Sequence, residues 1–332
     1  MTSLRVALLS SAHVHAAGWL AGLRQRPEVT VLGVADEDGA RGRAFAVAQG
    51  LTWFDSYAAA LAETPDAVVI NSENTRHAAL VDLAAGAGAH ILCEKPLATT
   101  ADEARRMVAR CQDAGVTLMT AFPMRFSPAV IAAREALLAG NLGRIYGCNA
   151  TNQGQLPAGV PWFIDPQLAG GGALIDHVVH VADLLRWFFG CEVREVYALA
   201  NRILHAELEP QVETGAVVLL DFEDGSFASI DCSWSRPPEY PTWGNVKLEI
   251  VGEGGLLTLD AFRQASTVYR RGTPGAQLAY WGSDANQGLI DDFVDSLLQG
   301  RPPAISGEDG VRASAIAEAA LKSARSGEPV QL

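Results

Sequence analysis

From Leu4 to about Ala121 the chain alternates two kinds of segment. Short runs that are apolar at nearly every position, LRVALLS, VTVLGVAD, PDAVVIN, HILCEK and VTLMTA, are separated by Ala-rich stretches with helical spacing, such as DSYAAALAE and HAALVDLAAGAG. Runs without polar alternation suit strands buried on both faces. Their alternation with helices predicts right-handed βαβ units and a parallel, doubly wound sheet. After Met124 the pattern changes. Helical spacing over 128–139 and 174–189 gives way to longer, alternating strands. VETGAVVLLDFEDGSFASIDCSW reads as a hairpin turning at Asp224-Gly225, and VKLEIVGEGGLLTLD as another turning near Glu253–Gly255. Helical patterns close the chain at 287–298 and 308–325. The prediction is an α/β protein in two domains: 1–123 around the doubly wound parallel sheet, and 124–332 as an α+β domain with a large, mostly antiparallel open sheet.

Composition supports a packed interior in a chain of two-domain length: 332 residues, 49% hydrophobic and 19% charged. A formal net charge of −13 argues against nucleic acid and anionic membrane surfaces as partners. The five cysteines, at 93, 111, 148, 191 and 232, include no CxxC pair, which suits a reducing cytoplasm. The N-terminal apolar run has strand length, so neither export nor membrane insertion is expected.

Two segments carry candidate chemistry. CEKPLATT, Cys93 to Thr100, ends a predicted parallel strand at the edge where open α/β sheets bind ligands. Pro96 restricts Lys95 to extended backbone, and an ammonium fixed there suits hydrogen bonding to a substrate hydroxyl or proton transfer. A surface Glu-Lys pair before a helix is the alternative. In LAGGGALIDHVVHVADLLRWFFG three glycines precede a helix on which Asp176, His180 and Asp183 share one face at i, i+4 and i+7. A carboxylate one turn before a histidine tunes a proton carrier near neutral pH; an Asp-His pair crossing a buried helix is the structural alternative.

Together these pieces resemble the glucose-fructose oxidoreductase / inositol dehydrogenase / rhizopine catabolism (Gfo/Idh/MocA) family. The likeness runs through Glu94-Lys95-Pro96, RFSP at Arg125 to Pro128, WFIDP at Trp162 to Pro166, and GGGALxDxxxH from Gly170 to His180. It implies a Rossmann domain, a second domain whose open sheet builds homodimers or homotetramers, and an NAD(P)-dependent oxidoreductase acting on a secondary hydroxyl of a sugar, sugar derivative or polyol. By position it implies Lys95, Asp176 and His180 as catalytic. The implied cofactor edge holds Ser10, Ala12, His13, His15, Asp36, Ser72, Glu73, His77, Glu94 and Lys95. The implied substrate contacts are Lys95, Arg125, Trp162, Asp176, His177 and His180.

The chain departs from the family pattern along that edge. The three fingerprint glycine positions are Ser10, Ala12 and His15, and a histidine at the third demands room where the helix packs on the strand. Asp36, followed by Glu37, favours NAD over NADP; a helix N-cap is its structural alternative. Glu73 stands where the family has proline, and His177 and Val178 follow Asp176. His13, His15, Glu73, His177 and His180 are therefore expected at one cleft. Three uses stay open: structural packing, contact to phosphate or substrate, and a metal, which is possible but not predicted. A divergent member with non-redox sugar chemistry and a non-catalytic sensor are the alternative functions.

Overall fold

The computed structural model describes residues 3–157, 159–240, 242–262, 265–268, 277–280 and 284–332, with backbone alone for 265–268 and 277–280. Two compact units form: Met1–Phe122 with Gly159–Gly170 and Asn286–Ser314, and Pro123–Ala158 with Gly171–Ala285 and Ala315–Leu332. In chain order the elements are β1 (Leu4–Leu9), α1 (Ala16–Arg24), β2 (Val29–Ala35), α2 (Gly39–Gln49), β3 (Trp53–Phe54), α3 (Tyr57–Ala62), β4 (Ala67–Ile70), α4 (His77–Gly86), β5 (His90–Cys93), α5 (Ala101–Asp113) and β6 (Leu118–Thr120). There follow α6 (Pro128–Leu138), β7 (Ile145–Gln153), α7 (Pro166–Ala169), α8 (Ala173–Phe189), β8 (Val193–Asn201), β9 (Gly215–Phe222), β10 (Phe227–Ser233), β11 (Lys247–Gly252) and β12 (Gly255–Asp260). The chain ends with β13 (Ala265–Val268), β14 (Gln277–Tyr280), α9 (Ala285–Gln299), α10 (Gly307–Ser326) and β15 (Val330–Gln331).

In the first unit six parallel strands run in the order β3-β2-β1-β4-β5-β6. The strand order reverses between β1 and β4, and the carboxyl ends there deliver Ser10, Asp36, Asn71 to Glu73, and Glu94-Lys95 to one edge. Five strands lie where the apolar runs placed them. The two-residue β3 is too short to show a pattern. Ile70, Ile91, Val81, Met107 and Leu97 belong to one continuous buried core. Trp19, Leu20 and Leu23 of α1 are also buried. Gly22 makes α1 thin where α9 lies against it: a Cβ there would meet Ile290 at 3.0 Å. Arg26 ties the same helices together, with Nη2 donating to Asp295 at 2.5 Å and Nη1 to Asp291 at 3.2 Å.

The second unit holds a seven-stranded sheet ordered β12-β11-β7-β10-β9-β8-β15. It is antiparallel except for the β7–β10 pair, which is parallel. Gly225, at φ 83°, makes the β9–β10 turn as expected from Asp224-Gly225. α8 packs on this sheet with Leu174, Val178, Val181 and Leu185 fully buried. The strands bury alternate residues, which leaves Val217, Leu219 and Phe227 exposed on the other side of β9 and β10. Among the described residues one stretch, Pro166–Phe189, is long and apolar enough to cross a bilayer by length and composition, and most of its apolar window is buried inside the protein, as in a core helix.

Candidate active site

The turn after β1 keeps the backbone of a glycine without the glycine. Ser10 has φ 72°, the left-handed region in which the first fingerprint position is set, and is completely buried. Its Oγ donates to Asp36 at 3.3 Å and accepts the Ala12 N–H at 3.2 Å, two local bonds that hold the strained residue. Ser10→Gly is therefore expected to change stability by no more than about 1 kcal/mol, since relief of strain offsets the lost bonds, whereas the β-branched Ser10→Val costs about 2 kcal/mol or more. Urea denaturation of both variants measures this.

His15, at the third fingerprint position, is the N-cap of α1, and its side chain is 36% exposed. The helix packs instead through Ala16 and Leu20, so the crowding expected at this position does not arise. Its Nδ1 lies 3.0 Å from Glu94 Oε1, its ring meets Trp19 edge-on at 5.7 Å, and its N–H donates to His13 Nδ1 at 3.2 Å. Trp19 Nε1 donates to the same Oε1 at 2.5 Å, and His13 Nδ1 lies 3.5 Å from it. Burial alone would push the Glu94 carboxyl up. The imidazoles of His13 and His15 and the Lys95 ammonium outweigh burial and hold it well below the usual carboxylate range. Trp162 closes over this turn, its Nε1 donating to Ala12 O at 3.1 Å and its ring stacked on Phe163 at 3.9 Å.

The carboxylate that joins the two histidines is thus Glu94 of the EKP motif. Glu73, expected beside them, pairs with arginines. Arg41 donates from Nε and Nη2 to Asp36 at 3.1 and 2.6 Å and from Nη1 to Glu73 at 3.0 Å. Arg76 lies 3.7 Å from Glu73 and also pairs with Glu37. Asp36 accepts in addition from Ser11 N and Oγ, both at 2.7 Å. Burial opposes ionisation of Asp36, and the bonds from Arg41 and Ser11 overcome it, so its carboxyl is lowered. The N-cap of α2 is Asp38, which accepts from Ala40 and Arg41 N–H groups. No local motif marks Arg41 or Trp19, although Trp19 stands one helical turn after His15 and Arg41 lies in the first turn of the helix after Asp36.

Lys95 follows β5 and is 4% exposed, its N–H donating to Glu94 Oε2 at 3.1 Å. The same turn is pinned by His77, fully buried, whose Nδ1 lies 2.9 Å from Pro96 O and whose Nε2 lies 3.3 Å from Ser72 O. Burial lowers the His77 pKa and keeps the ring neutral. His77 therefore joins the loop after β4 to the EKP turn, and Ser72, buried, supplies one of the carbonyls.

In the second unit α8 starts at a glycine the packing requires. A Cβ on Gly172 would stand 1.9 Å from Glu213 O. The Glu213 carboxylate takes the N–H groups of Gly172 at 2.7 Å and Leu174 at 3.1 Å. On the face predicted from spacing, Asp176 accepts from Trp234 Nε1 at 3.1 Å, and Asp183 takes Arg125 through Nε at 2.8 Å and Nη2 at 2.6 Å. The Arg125 guanidinium also lies 5.3 Å over Trp187. His180, half-buried, stands one turn from each aspartate. His177 is buried with Nε2 3.2 Å from Asp176 Oδ2, and its ring occupies the space beside Gly154, where a Cβ would meet it at 2.9 Å.

A parallel sheet in this order, with a left-handed turn into α1, an acid closing β2 and Glu-Lys closing β5, defines an oxidoreductase of the nucleotide-binding Rossmann class. Residues 10–122 match the family profile described as "Oxidoreductase family, NAD-binding Rossmann fold", and residues 130–258 that of the "GFO/IDH/MocA C-terminal domain". The chain belongs to the GFO/IDH/MocA family of oxidoreductases. It is 31% identical to myo-inositol 2-dehydrogenase of Thermotoga maritima over 80% of each chain, and 31% identical to D-apiose dehydrogenase of Paraburkholderia graminis over 97% of this chain and 87% of that one. The crystal structure of GenD2 from gentamicin A biosynthesis, in complex with NAD, superposes with a TM-score of 0.90 at 27% identity, covering 100% of this chain and 97% of that one.

Proposed function

We propose that this chain is an NAD-dependent dehydrogenase that oxidises a secondary hydroxyl of a sugar, sugar derivative or polyol, with 1–123 as the dinucleotide domain and 124–332 as the substrate domain. The observation that carries the reading is the carboxyl edge of the parallel sheet, where Ser10, Asp36 and Glu94-Lys95 follow β1, β2 and β5 of a family member. The turn fits a dinucleotide in its backbone, because Ser10 adopts the left-handed glycine conformation between β1 and α1. NAD, when bound, supplies the two-electron acceptor. Lys95 and His180 handle the proton of the reacting hydroxyl, and Asp176, oriented by Trp234, holds neighbouring hydroxyls. The ketone forms as the hydroxyl proton passes to these groups while the hydride on the same carbon would go to the bound acceptor. Isothermal titration with NAD and turnover on a panel of sugars and polyols test this: no binding at millimolar NAD ends the reading, and binding without turnover leaves a sensor.

A second reading rests on the His13, His15 and Glu94 side chains, whose potential ligand atoms lie within 4.8 Å of one another. A metal there would serve non-redox sugar chemistry. Against it, Glu94 Oε1 already takes Trp19 and His15, and His13 Nδ1 takes the His15 N–H. Elemental analysis of untagged protein and of His13→Ala separates the readings.

The exposed apolar residues Val217, Leu219 and Phe227 on β9 and β10 support a homo-oligomer, which sedimentation velocity reads directly. The buried free thiols of Cys93, Cys111, Cys148 and Cys232 support a reducing cytoplasm.

A further inference from the structure

The loop after β4 carries an acid that the proposed chemistry does not use. Glu73 is buried, its side chain 5% exposed, yet it lies at the carboxyl edge of the sheet, and its partners are two arginines at the partly exposed rim. Arg41 is held from both sides: Asp36 takes Nε and Nη2, and Glu73 takes Nη1. Arg76 is divided in the same way between Glu73 and Glu37. Asp36 closes β2, the position whose acid meets the adenosine ribose in this class of fold, and an arginine close by is what accommodates a 2′-phosphate. This chain has two such arginines, Arg41 and Arg76, with side chains 29% and 34% exposed. Each is already committed to carboxylates.

We propose that Glu73 sets the cofactor preference of this chain, holding Arg41 across Asp36 so that a dinucleotide with a free 2′-hydroxyl is accepted and a 2′-phosphorylated one is rejected. Glu73 is a positioning residue acting through Arg41. The proposal rests on the NAD-dependent dehydrogenase reading. Its physical basis is a charge count over one bonded cluster. Asp36, Glu37 and Glu73 carry three negative charges, Arg41 and Arg76 two positive ones, and three against two leaves −1 over the cluster. A 2′-phosphate brings roughly two further negative charges and meets two guanidinium groups each already paired with two carboxylates. With glutamine at position 73 the count becomes zero and Arg41 Nη1 loses its anionic partner, so the guanidinium can turn a charged edge to the phosphate.

Titration calorimetry of the full chain with NAD and with NADP tests this in wild type, Glu73→Gln and Glu73→Gln/Arg41→Gln. The expected result is a ratio Kd(NADP)/Kd(NAD) that falls at least about tenfold in Glu73→Gln and returns towards wild type in the double variant. A role confined to holding the fold would weaken both dinucleotides together, so a ratio unmoved by Glu73→Gln overturns the proposal. So does a wild-type chain that already prefers NADP, which leaves the dehydrogenase reading standing. Failure of the wild-type chain to bind either dinucleotide overturns both. If Glu73→Gln does not fold, the more exposed Arg76→Gln carries the test: removing one cation raises the ratio at least about threefold, and an unchanged ratio overturns the proposal.

Discussion

Lys95→Ala is expected to lower kcat for sugar oxidation by about 10²- to 10⁴-fold, the range that a positioned proton-transfer group contributes. The side chain leaves the end of β5 from a turn tied on both sides: Glu94 Oε2 takes its N–H at 3.1 Å, and His77 holds the carbonyl of Pro96 at 2.9 Å. A lysine that is 4% exposed starts from few rotamers, so little freedom is lost when it meets a hydroxyl. Lys95→Arg is expected to lose nearly as much, because a guanidinium keeps its charge but does not give up a proton near neutral pH. Steady-state kinetics on the best substrate, with circular dichroism to verify folding, measure both. A fall below about tenfold in the folded Lys95→Ala protein removes Lys95 from proton handling.

Glu94→Ala is expected to cost about 3–5 kcal/mol of stability, the penalty for removing one partner of a buried charged cluster. Glu94 is 1% exposed and receives Trp19 Nε1 and His15 Nδ1, so its loss leaves a buried indole N–H and the His15 ring without this acceptor. The same cluster predicts acid lability. Burial acts to raise the Glu94 pKa, but His13, His15 and Lys95 depress it below its ordinary 4.5, so below that pH the unfolded chain binds the proton first and stability is lost. His77, lowered from 6.5 by burial, acts with the same sign at higher pH. Stability is therefore expected to fall in two stages on acidification, from about pH 6.5 and again below about pH 4.5. Glu94→Ala should flatten the second stage and spare the first. Urea midpoints between pH 3 and 8 are the measurement; a second stage unchanged in Glu94→Ala removes Glu94 as its cause.

The strands that build the cofactor edge were legible because a strand buried on both faces needs apolar residues at nearly every position, a signal local to five or six residues. The correspondence of Ser10 with the first fingerprint glycine was legible for a related reason, since a tight turn follows directly from the end of β1. Spacing along α8 placed Asp176, His180 and Asp183 on one face, because the helix period is fixed by its backbone. The partners of those residues were not legible. Asp183 takes Arg125, 58 positions away in sequence, and Asp176 takes Trp234, also 58 away. No periodicity within a helix encodes either.

The acid at the turn shows the limit most plainly. Sequence offered Glu73 as companion to His13 and His15, since all three departed from the family pattern along one edge. In the fold β1 lies between β2 and β4, and that order sets Glu73 against Arg41 and Asp36 at the end of β2. The histidines fall to Glu94, which closes β5, with Trp19 one helical turn away. By itself the sequence determined the two patterns of secondary structure, the family, and that Ser10, Asp36 and Glu94-Lys95 follow the ends of parallel strands, because each depends on local pattern or motif. Only the tertiary structure decided which acid meets which base there, because those pairings are set by strand order and by contacts between residues tens of positions apart.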